Sequence, residues 1–275
     1  MTNPRSSTPA GHDPSSWRST VEGAEVPVEE AISAAAEIIS ASTRIVVLTG
    51  AGISTDSRIP DFRGPQGVWT RNPAAEKAAT LQNYLADPEV RRNGWRSRLD
   101  SPMWAAEPNP GHRALARLER RGKVRLLITQ NVDGLHQLGG SNPDLVVEIH
   151  GTAQVVRCMS CDYRDDMQVA LDRVRQGEDD PPCPQCGGIL KSATISFGQG
   201  LVEEDLWRAQ KAAEECDLLL AVGTTLGVYP IANVVPVALR HGAKVIIVNG
   251  SPTEMDELAD VVVQGSISDL LPRIV

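Results

Sequence analysis

Three features of this sequence predict an α/β fold, a parallel sheet with crossover helices and a smaller second lobe. Short apolar runs recur along the chain, helical stretches separate several of them, and two long segments break the alternation. The runs are residues 44–49, 124–128, 145–149, 217–222, 244–248 and 261–263. They are nearly continuous in Val, Ile and Leu, as strands buried on both faces are.

In chain order, residues 1–27 are rich in Ser, Thr, Pro and Gly and lack apolar periodicity. Such a segment cannot bury enough surface to offset its ordering entropy, so a disordered tail is expected. Residues 28–40 carry an Ala/Ile/Glu helical pattern, and the run at 44–49 then enters a glycine turn, Gly50-Ala-Gly52. Residues 58–110 hold prolines, tryptophans and amphipathic pieces without a strong strand, and read as a helical insert with a loop. Helical patterns at 112–121, 203–215 and 231–240 alternate with the later runs, while residues 152–195 carry four cysteines and form a second insertion. The sheet domain is therefore assembled from residues 28–57, 111–151 and 196–275, and the two insertions build the small lobe. The uncharged stretch 218–239 is interrupted by Thr224, Thr225, Pro230, Asn233 and Pro236, so it reads as strand, loop and helix and not as a membrane span.

Charge narrows the partners. The chain has 275 residues, with 27 Lys+Arg against 35 Asp+Glu and a net charge of −8. Its apolar content is roughly 48% once glycine is included, within the globular range. A direct nucleic-acid ligand calls for a surplus of cations to neutralise phosphates, so a basic protein segment is the better-matched partner. No basic start followed by an apolar stretch opens the chain, so a secretory signal is not expected. Five cysteines, four of them in two C-x-x-C pairs, suit a reducing compartment better than a disulfide framework, and a cytoplasmic location is expected.

Four motifs carry chemistry. Cys158-x-x-Cys161 and Cys183-x-x-Cys186 stand 21 residues apart, the ribbon-type spacing that lets two knuckles share one tetrahedral zinc. Four sulfurs leave no position for a substrate water, which implies a structural metal; two redox dithiols or free buried thiols are the alternatives. Cys216 has no neighbour in sequence and reads as a small buried apolar residue. Gly50-Ala-Gly-Ile-Ser-Thr55 follows a strand where backbone N–H groups can meet a diphosphate, or it is simply a turn. It lacks a third glycine and a downstream acidic residue, so a hydride-transferring dehydrogenase fits poorly. Thr129-Gln-Asn-Val-Asp-Gly-Leu-His136 places Gln130, Asn131 and Asp133 at another strand end, where they can grip a ribose or a carboxamide, or cap the next helix. His150 closes the run at 145–149 and is the best general-base candidate of the five histidines.

Taken together, Gly50-Ala-Gly-Ile-Ser-Thr55, Ile59-Pro-Asp-Phe-Arg-Gly64, Gln130-Asn-Val-Asp133, His150-Gly151, both cysteine pairs, Phe197-Gly198, Gly223-Thr-Thr225 and Val248-Asn249 resemble the sirtuin family over about residues 30–275. The resemblance implies a Rossmann-like large domain, a small lobe of zinc ribbon plus helical insert, and NAD meeting an acyl-lysine protein or peptide in the cleft between them. It implies that Gly50, Ala51, Gly52, Ile53, Asp61, Phe62 and Arg63 surround the diphosphate and nicotinamide ribose, and that Gln130, Asn131 and Asp133 hold the ribose and carboxamide. Gly223, Thr224, Thr225, Asn249, Ser251 and Ile267 would line the adenosine half. Val132, Ile195, Phe197 and Gly198 would line the acyl-lysine channel, with His150 as base beside Asn131. The implied activity is NAD-dependent protein-lysine deacylation, yielding free lysine, nicotinamide and O-acyl-ADP-ribose. A protein mono-ADP-ribosyltransferase and an NAD-sensing binding module are the alternatives.

The sequence departs from the family pattern at Arg58, where Gly is usual before Ile-Pro-Asp-Phe-Arg, at Thr225 in place of Ser, and at Gln199 in place of Glu. Arg58 is the largest change, because Gly reaches backbone conformations that strain Arg. Trp95-Arg-Ser-Arg98 stands near where desuccinylase-like sirtuins carry Tyr-x-x-Arg. Trp95 lacks the phenol hydroxyl, and Arg91, Arg92, Arg96 and Arg98 read as a solvated basic helix face. Acetyl-lysine is therefore the expected substrate over succinyl-lysine.

Overall fold

The computed structural model describes residues 17–61, 67–71 and 80–275. Its centre is an eight-stranded sheet in the order β2-β1-β11-β10-β9-β3-β4-β5. In chain order these strands are β1 (Ser19–Val21), β2 (Ala24–Val26), β3 (Ile45–Thr49), β4 (Val124–Thr129), β5 (Val146–Glu148), β9 (Leu218–Val222), β10 (Lys244–Asn249) and β11 (Val261–Gln264). The six strands from β11 to β5 pair in parallel, as the continuous apolar runs predict.

Alternation sends successive side chains of each strand to opposite faces. Val46 and Leu48 of β3 join Leu219, Ala221, Val245 and Ile247 on one face, under the helices Glu203–Glu215 and Val234–Arg240. Ile45 and Val47 join Leu218, Leu220, Ile246 and Val248 on the other, under Val28–Ala41, Pro110–Arg120 and Ile267–Ile274. The result is a three-layer α/β/α sandwich. Cys216 is buried, as expected, in the first of these cores.

The small lobe is a three-stranded antiparallel sheet, β7-β6-β8, made from β6 (Gly151–Cys158), β7 (Arg164–Asp166) and β8 (Leu190–Thr194). The helix Met167–Arg175 and the insert helices Leu81–Ala86 and Pro88–Leu99 pack on it, with Trp95 fully buried beside Val156, Met167, Leu171 and Leu190.

Two expectations are corrected. The tail does not run to residue 27: β1 and β2 form a short hairpin that pairs antiparallel with β11, and Arg18 N–H donates to Gln264 Oε1 at 2.8 Å. The order comes from long-range pairing, to which local composition is blind. Nor is the whole arginine row solvated: the Arg91 side chain is only 11% exposed, whereas that of Arg96 stays 53% exposed, as a solvated face expects. Arg91 pairs with Asp180 at 2.7 Å and Arg96 with Asp179 at 3.3 Å, tying the helical insert to the cysteine-bearing lobe.

Candidate active site

The chain passes from β3 outward through β4 and β5, then returns to β9 on the far side of β3 and continues to β10 and β11. Strand order thus reverses between β3 and β9, and in an open parallel sheet the ligand crevice lies outside the carboxyl ends at that reversal. The two glycine turns meet there. Gly52 N–H donates to Gly223 O at 2.8 Å and Gly50 N–H to Val222 O at 3.1 Å. A Cβ on Gly223 would stand 2.4 Å from Ile53 N, so this contact excludes any side chain.

The loop after β4 bridges the same point. Gln130 donates its backbone N–H to Thr49 O at 3.0 Å and its side-chain amide to Thr224 Oγ1 at 2.9 Å, reaching across β3. Asn131 Nδ2 donates to Gly50 O and to Ser54 Oγ, both at 3.1 Å. The Ser54 hydroxyl in turn donates to Asp133 Oδ2 at 2.8 Å, while Asp133 Oδ1 accepts Leu135 N–H at 2.9 Å. Asp133 thus accepts the first N–H of the helix Leu135–Leu138, whose N-cap is Gly134, and belongs to the polar cluster with Ser54 and Asn131. Burial pushes its carboxyl up, against these hydrogen bonds.

His150 follows β5 and is half-buried. Its Nδ1 lies 3.1 Å from Gln130 O. A carbonyl only accepts, so Nδ1 carries the proton and Nε2 is the basic nitrogen. His150 O accepts Ile195 N–H at 2.7 Å, and Gly151 pairs with Thr194, so the base sits where the two lobes are stitched together. Gly151 has φ +71°, and a Cβ there would lie 2.1 Å from Ala193 O. Beside it, Glu148 is largely buried and its carboxyl is pushed up to about 7. Burial is the main cause, with Asp133 adding and hydrogen bonds from Thr152 and Gln137 opposing.

Several other expected residues are held by bonds of their own. Val132 O accepts Ala153 N–H at 2.9 Å, and Phe197, whose side chain is exposed, accepts Leu81 N–H at its carbonyl at 3.0 Å. Gly198 follows with φ +78°. Asn249 ends β10, buried, with Nδ2 donating to Ser251 O at 2.7 Å, and Thr225 O accepts Glu254 N–H at 3.1 Å. Ile267 is a core residue packed near Ile53, where both approach Gly111. Asp61 is half-buried, and Phe62 and Arg63 lie outside the described residues. Amides, hydroxyls and one carboxylate around two glycine turns match the sugar hydroxyls and diphosphate of a dinucleotide.

The four cysteines converge. All four Sγ atoms lie within 4.8 Å of one another, with Cys158 to Cys186 at 3.6 Å and Cys161 to Cys183 at 3.7 Å. A tetrahedral zinc with bonds of about 2.3 Å separates its sulfurs by about 3.8 Å, so the spacing fits. Ser160 N–H donates to Cys158 Sγ at 3.3 Å, the bond that favours a thiolate in such a knuckle. Nearby, Arg98 Nη2 donates to Ser192 Oγ at 3.2 Å, and its guanidinium lies over the Trp95 and Tyr84 rings.

Comparison with known proteins decides the family: a model of the Sir2 family matches residues 50–230. The chain belongs to the Sir2 family. Two Sir2-like relatives are NAD-dependent protein deacetylase 2 of Streptomyces coelicolor, 50% identical over 230 residues, and NAD-dependent protein deacetylase 1 of Bradyrhizobium diazoefficiens, 41% identical over 237. The first alignment spans 84% of this chain and 95% of the relative, the second 86% and 91%. A solved structure from work on the mechanism and regulation of Sir2 enzymes superposes with a TM-score of 0.82 at 39% identity, covering 90% of this chain and 97% of its own. A Sir2 variant solved with a deacetylated peptide and 3′-O-acetyl ADP ribose gives 0.82 at 30% identity, over 88% and 96%.

Within this Sir2 site, three participants escaped the sequence reading. Ser54 links Asn131 to Asp133, and Asn109 Nδ2 donates to Ile53 O at 2.7 Å while capping the helix Pro110–Arg120. His136 Nε2 lies 2.9 Å from Thr49 Oγ1. Only Asn109 had a sequence signal, an Asn directly before Pro at the first helical position. Arg58, the departure from the family pattern, does take up the left-handed conformation, at φ 66° and ψ 20°.

Proposed function

We propose that this chain is an NAD-dependent protein-lysine deacylase, acting on acetyl-lysine in proteins or peptides and releasing free lysine, nicotinamide and O-acyl-ADP-ribose. One observation carries the reading: His150 holds its proton on Nδ1 toward Gln130 O, in the loop that bridges the strand reversal, leaving Nε2 as a base one residue from the small lobe. The names of the relatives support NAD dependence and a protein substrate.

NAD, when bound, supplies an ADP-ribosyl group from which nicotinamide departs. The backbone at Gly50, Ala51, Gly52 and Ile53, with Asp61, Phe62 and Arg63, would hold the diphosphate and nicotinamide ribose. Gln130, Asn131 and Asp133 would hold the ribose and carboxamide. Thr224, Thr225, Asn249, Ser251 and the backbone at Gly223 and Ile267 would take the adenosine half. Val132, Ile195, Phe197 and Gly198 would line the acyl-lysine channel and keep water from the activated carbon. His150 Nε2 would remove the proton from a ribose hydroxyl so that this oxygen can attack the acyl carbon. Cys158, Cys161, Cys183 and Cys186 would bind one structural zinc. That state, with the thiols reduced and metal-bound, supports a cytoplasmic location. Among the described residues no helix is long and apolar enough to cross a membrane.

The test is incubation of the purified protein with NAD and an acetyl-lysine peptide, read by mass spectrometry. Deacetylated peptide together with O-acetyl-ADP-ribose is the expected result. ADP-ribosylated protein without deacetylated peptide would assign the transferase activity, and neither product would leave an NAD-binding module.

A further inference from the structure

Eight buried side-chain polar atoms lack a hydrogen-bond partner among the described residues, and four of them lie along one seam. The seam runs between the helix Pro110–Arg120 and residues 136–142, and its atoms are His112 Nε2, Glu119 Oε2, His136 Nδ1 and Ser141 Oγ. Backbone contacts close it, with Ser141 N–H donating to His136 O at 3.0 Å and Asn142 N–H to Glu119 Oε1 at 2.8 Å. Buried polar atoms are nearly always satisfied, by protein or by an internal water.

The two imidazoles have complementary needs. His112 Nδ1 accepts Asn109 N–H at 3.4 Å, so the proton of the neutral ring is on Nε2, a donor without a protein partner. Thr49 Oγ1 donates to Thr129 Oγ1 at 2.8 Å, so the bond between Thr49 and His136 is donated by His136 Nε2. That leaves His136 Nδ1 a bare acceptor. The ring centroids are 5.0 Å apart. One orphan donor and one orphan acceptor on neighbouring rings are the pair of groups that a single bridging water would satisfy. Burial holds both rings neutral, pushing His112 down to about 4 and His136 well below its usual range.

We propose that His112 and His136, joined through an internal water, are positioning residues for Asn131. The path runs from Asn109 through His112, the water and His136 to Thr49 and Thr129, whose hydroxyl accepts Asn131 N–H at 3.1 Å. Its far end is also in the site, because Asn109 Nδ2 holds Ile53 O and Ser57 Oγ. Both loops that flank the glycine turn are thereby set by one buried strut. The functional consequence rests on Asn131 acting in deacylation; the tautomers and the water do not.

The test therefore has two arms. Heteronuclear NMR of the imidazole nitrogens in the wild-type protein is expected to show both rings neutral with the proton on Nε2, and a high-resolution crystal structure is expected to show a water bonded to both rings. A proton on His112 Nδ1, a charged ring at neutral pH, or a dry gap between the rings would overturn the strut. In the second arm, His136→Phe is expected to lower kcat about tenfold and to raise the KM for NAD, because Asn131 would also hold the ribose and carboxamide, and His136→Gln, which keeps a donor toward Thr49, to recover part of both losses. A folded His136→Phe protein with wild-type kcat would overturn the positioning role. If the wild-type protein shows no deacylation, the first arm still decides the strut, so that failure belongs to the functional reading.

Discussion

Among the described residues, the large sheet buries 25 and 24 apolar residues on its two faces, whereas the small lobe buries eight around Trp95, Met167 and Leu171. A core of the first kind holds its strand ends rigid by packing alone. Eight residues cannot do this for a three-stranded sheet, and the lobe adds a four-thiol cluster, the clamps from Arg91 to Asp180 and Arg96 to Asp179, and Tyr84 Oη donating to Leu190 O at 2.8 Å. Fragility is therefore concentrated in the small lobe. The half of the crevice on the large sheet is built into the core, and the half on the small lobe hangs on side-chain bonds and the four-thiol cluster.

His150 stands at the junction, so its loss gives the largest expected effect. His150→Ala should lower deacylation by about 100-fold or more while leaving NAD affinity within about tenfold, because a general base acts on the transition state. Single-turnover rates and equilibrium binding of NAD separate the two. Near-normal turnover would remove His150 from the mechanism.

Next comes the small lobe alone. Replacing any one of Cys158, Cys161, Cys183 and Cys186 by Ser is expected to release zinc and unfold residues 151–194, while amides of β3, β9 and β10 keep their protection from hydrogen exchange. Elemental analysis that finds no zinc in freshly purified active protein would end the metal assignment. Loss of protection in both lobes at once would show that the large sheet does not hold independently of the small lobe.

The same contrast governs what could be read in advance. Strands β3, β9 and β10 were legible because burial on both faces leaves a continuous apolar run. The hairpin of β1 and β2 was not, since three-residue strands such as Ala24-Glu25-Val26 carry too short a pattern, and only pairing with Val261 and Val262 orders them. In the site, Gly50, Gln130, His150 and the cysteines stand out as motifs. Ser54 and His136 do not, because each matters only where three separate segments meet. The pairing of Arg91 and Arg96 was hidden for the same reason: their partners Asp180 and Asp179 are 89 and 83 positions away.

A smaller effect is expected on the large-sheet side. Glu148 has its folded-state carboxyl raised to about 7, mainly by burial, where an unfolded chain would titrate near 4.5. Between those values the folded protein keeps the proton and the unfolded chain loses it, so stability falls as pH rises from about 4.5 to 7. This is opposite to a carboxylate held by a cation. Glu148→Gln removes the penalty and should raise stability at pH 8 by about 1–2 kcal/mol, with no gain at pH 4. Denaturant unfolding of both proteins at the two pH values checks it, and an equal effect at both would show that Glu148 does not titrate as argued.

The smallest expected effect concerns Arg58, which closes the helical turn Ala51–Ser57 on the crevice side of the large sheet. Its N–H reaches Ser54 O and Thr55 O, the bonding of a helix C-terminus, where a left-handed residue is needed and glycine is favoured. Arg58 is exposed, so no packing favours its side chain there. A non-glycine residue in this region costs about 1–2 kcal/mol, and glycine returns about 0.4–1 kcal/mol of that through greater freedom in the unfolded chain. Arg58→Gly should therefore stabilise the protein by about 0.5–1 kcal/mol, a rise of about 1–4 °C in Tm for a domain of this size. Because the strain is local to the sheet's glycine turn, the zinc content and the hydrogen-exchange protection of residues 151–194 should not change. A lower Tm for Arg58→Gly would show that the arginine makes contacts worth more than its strain, and would make Arg58 part of the site in its own right.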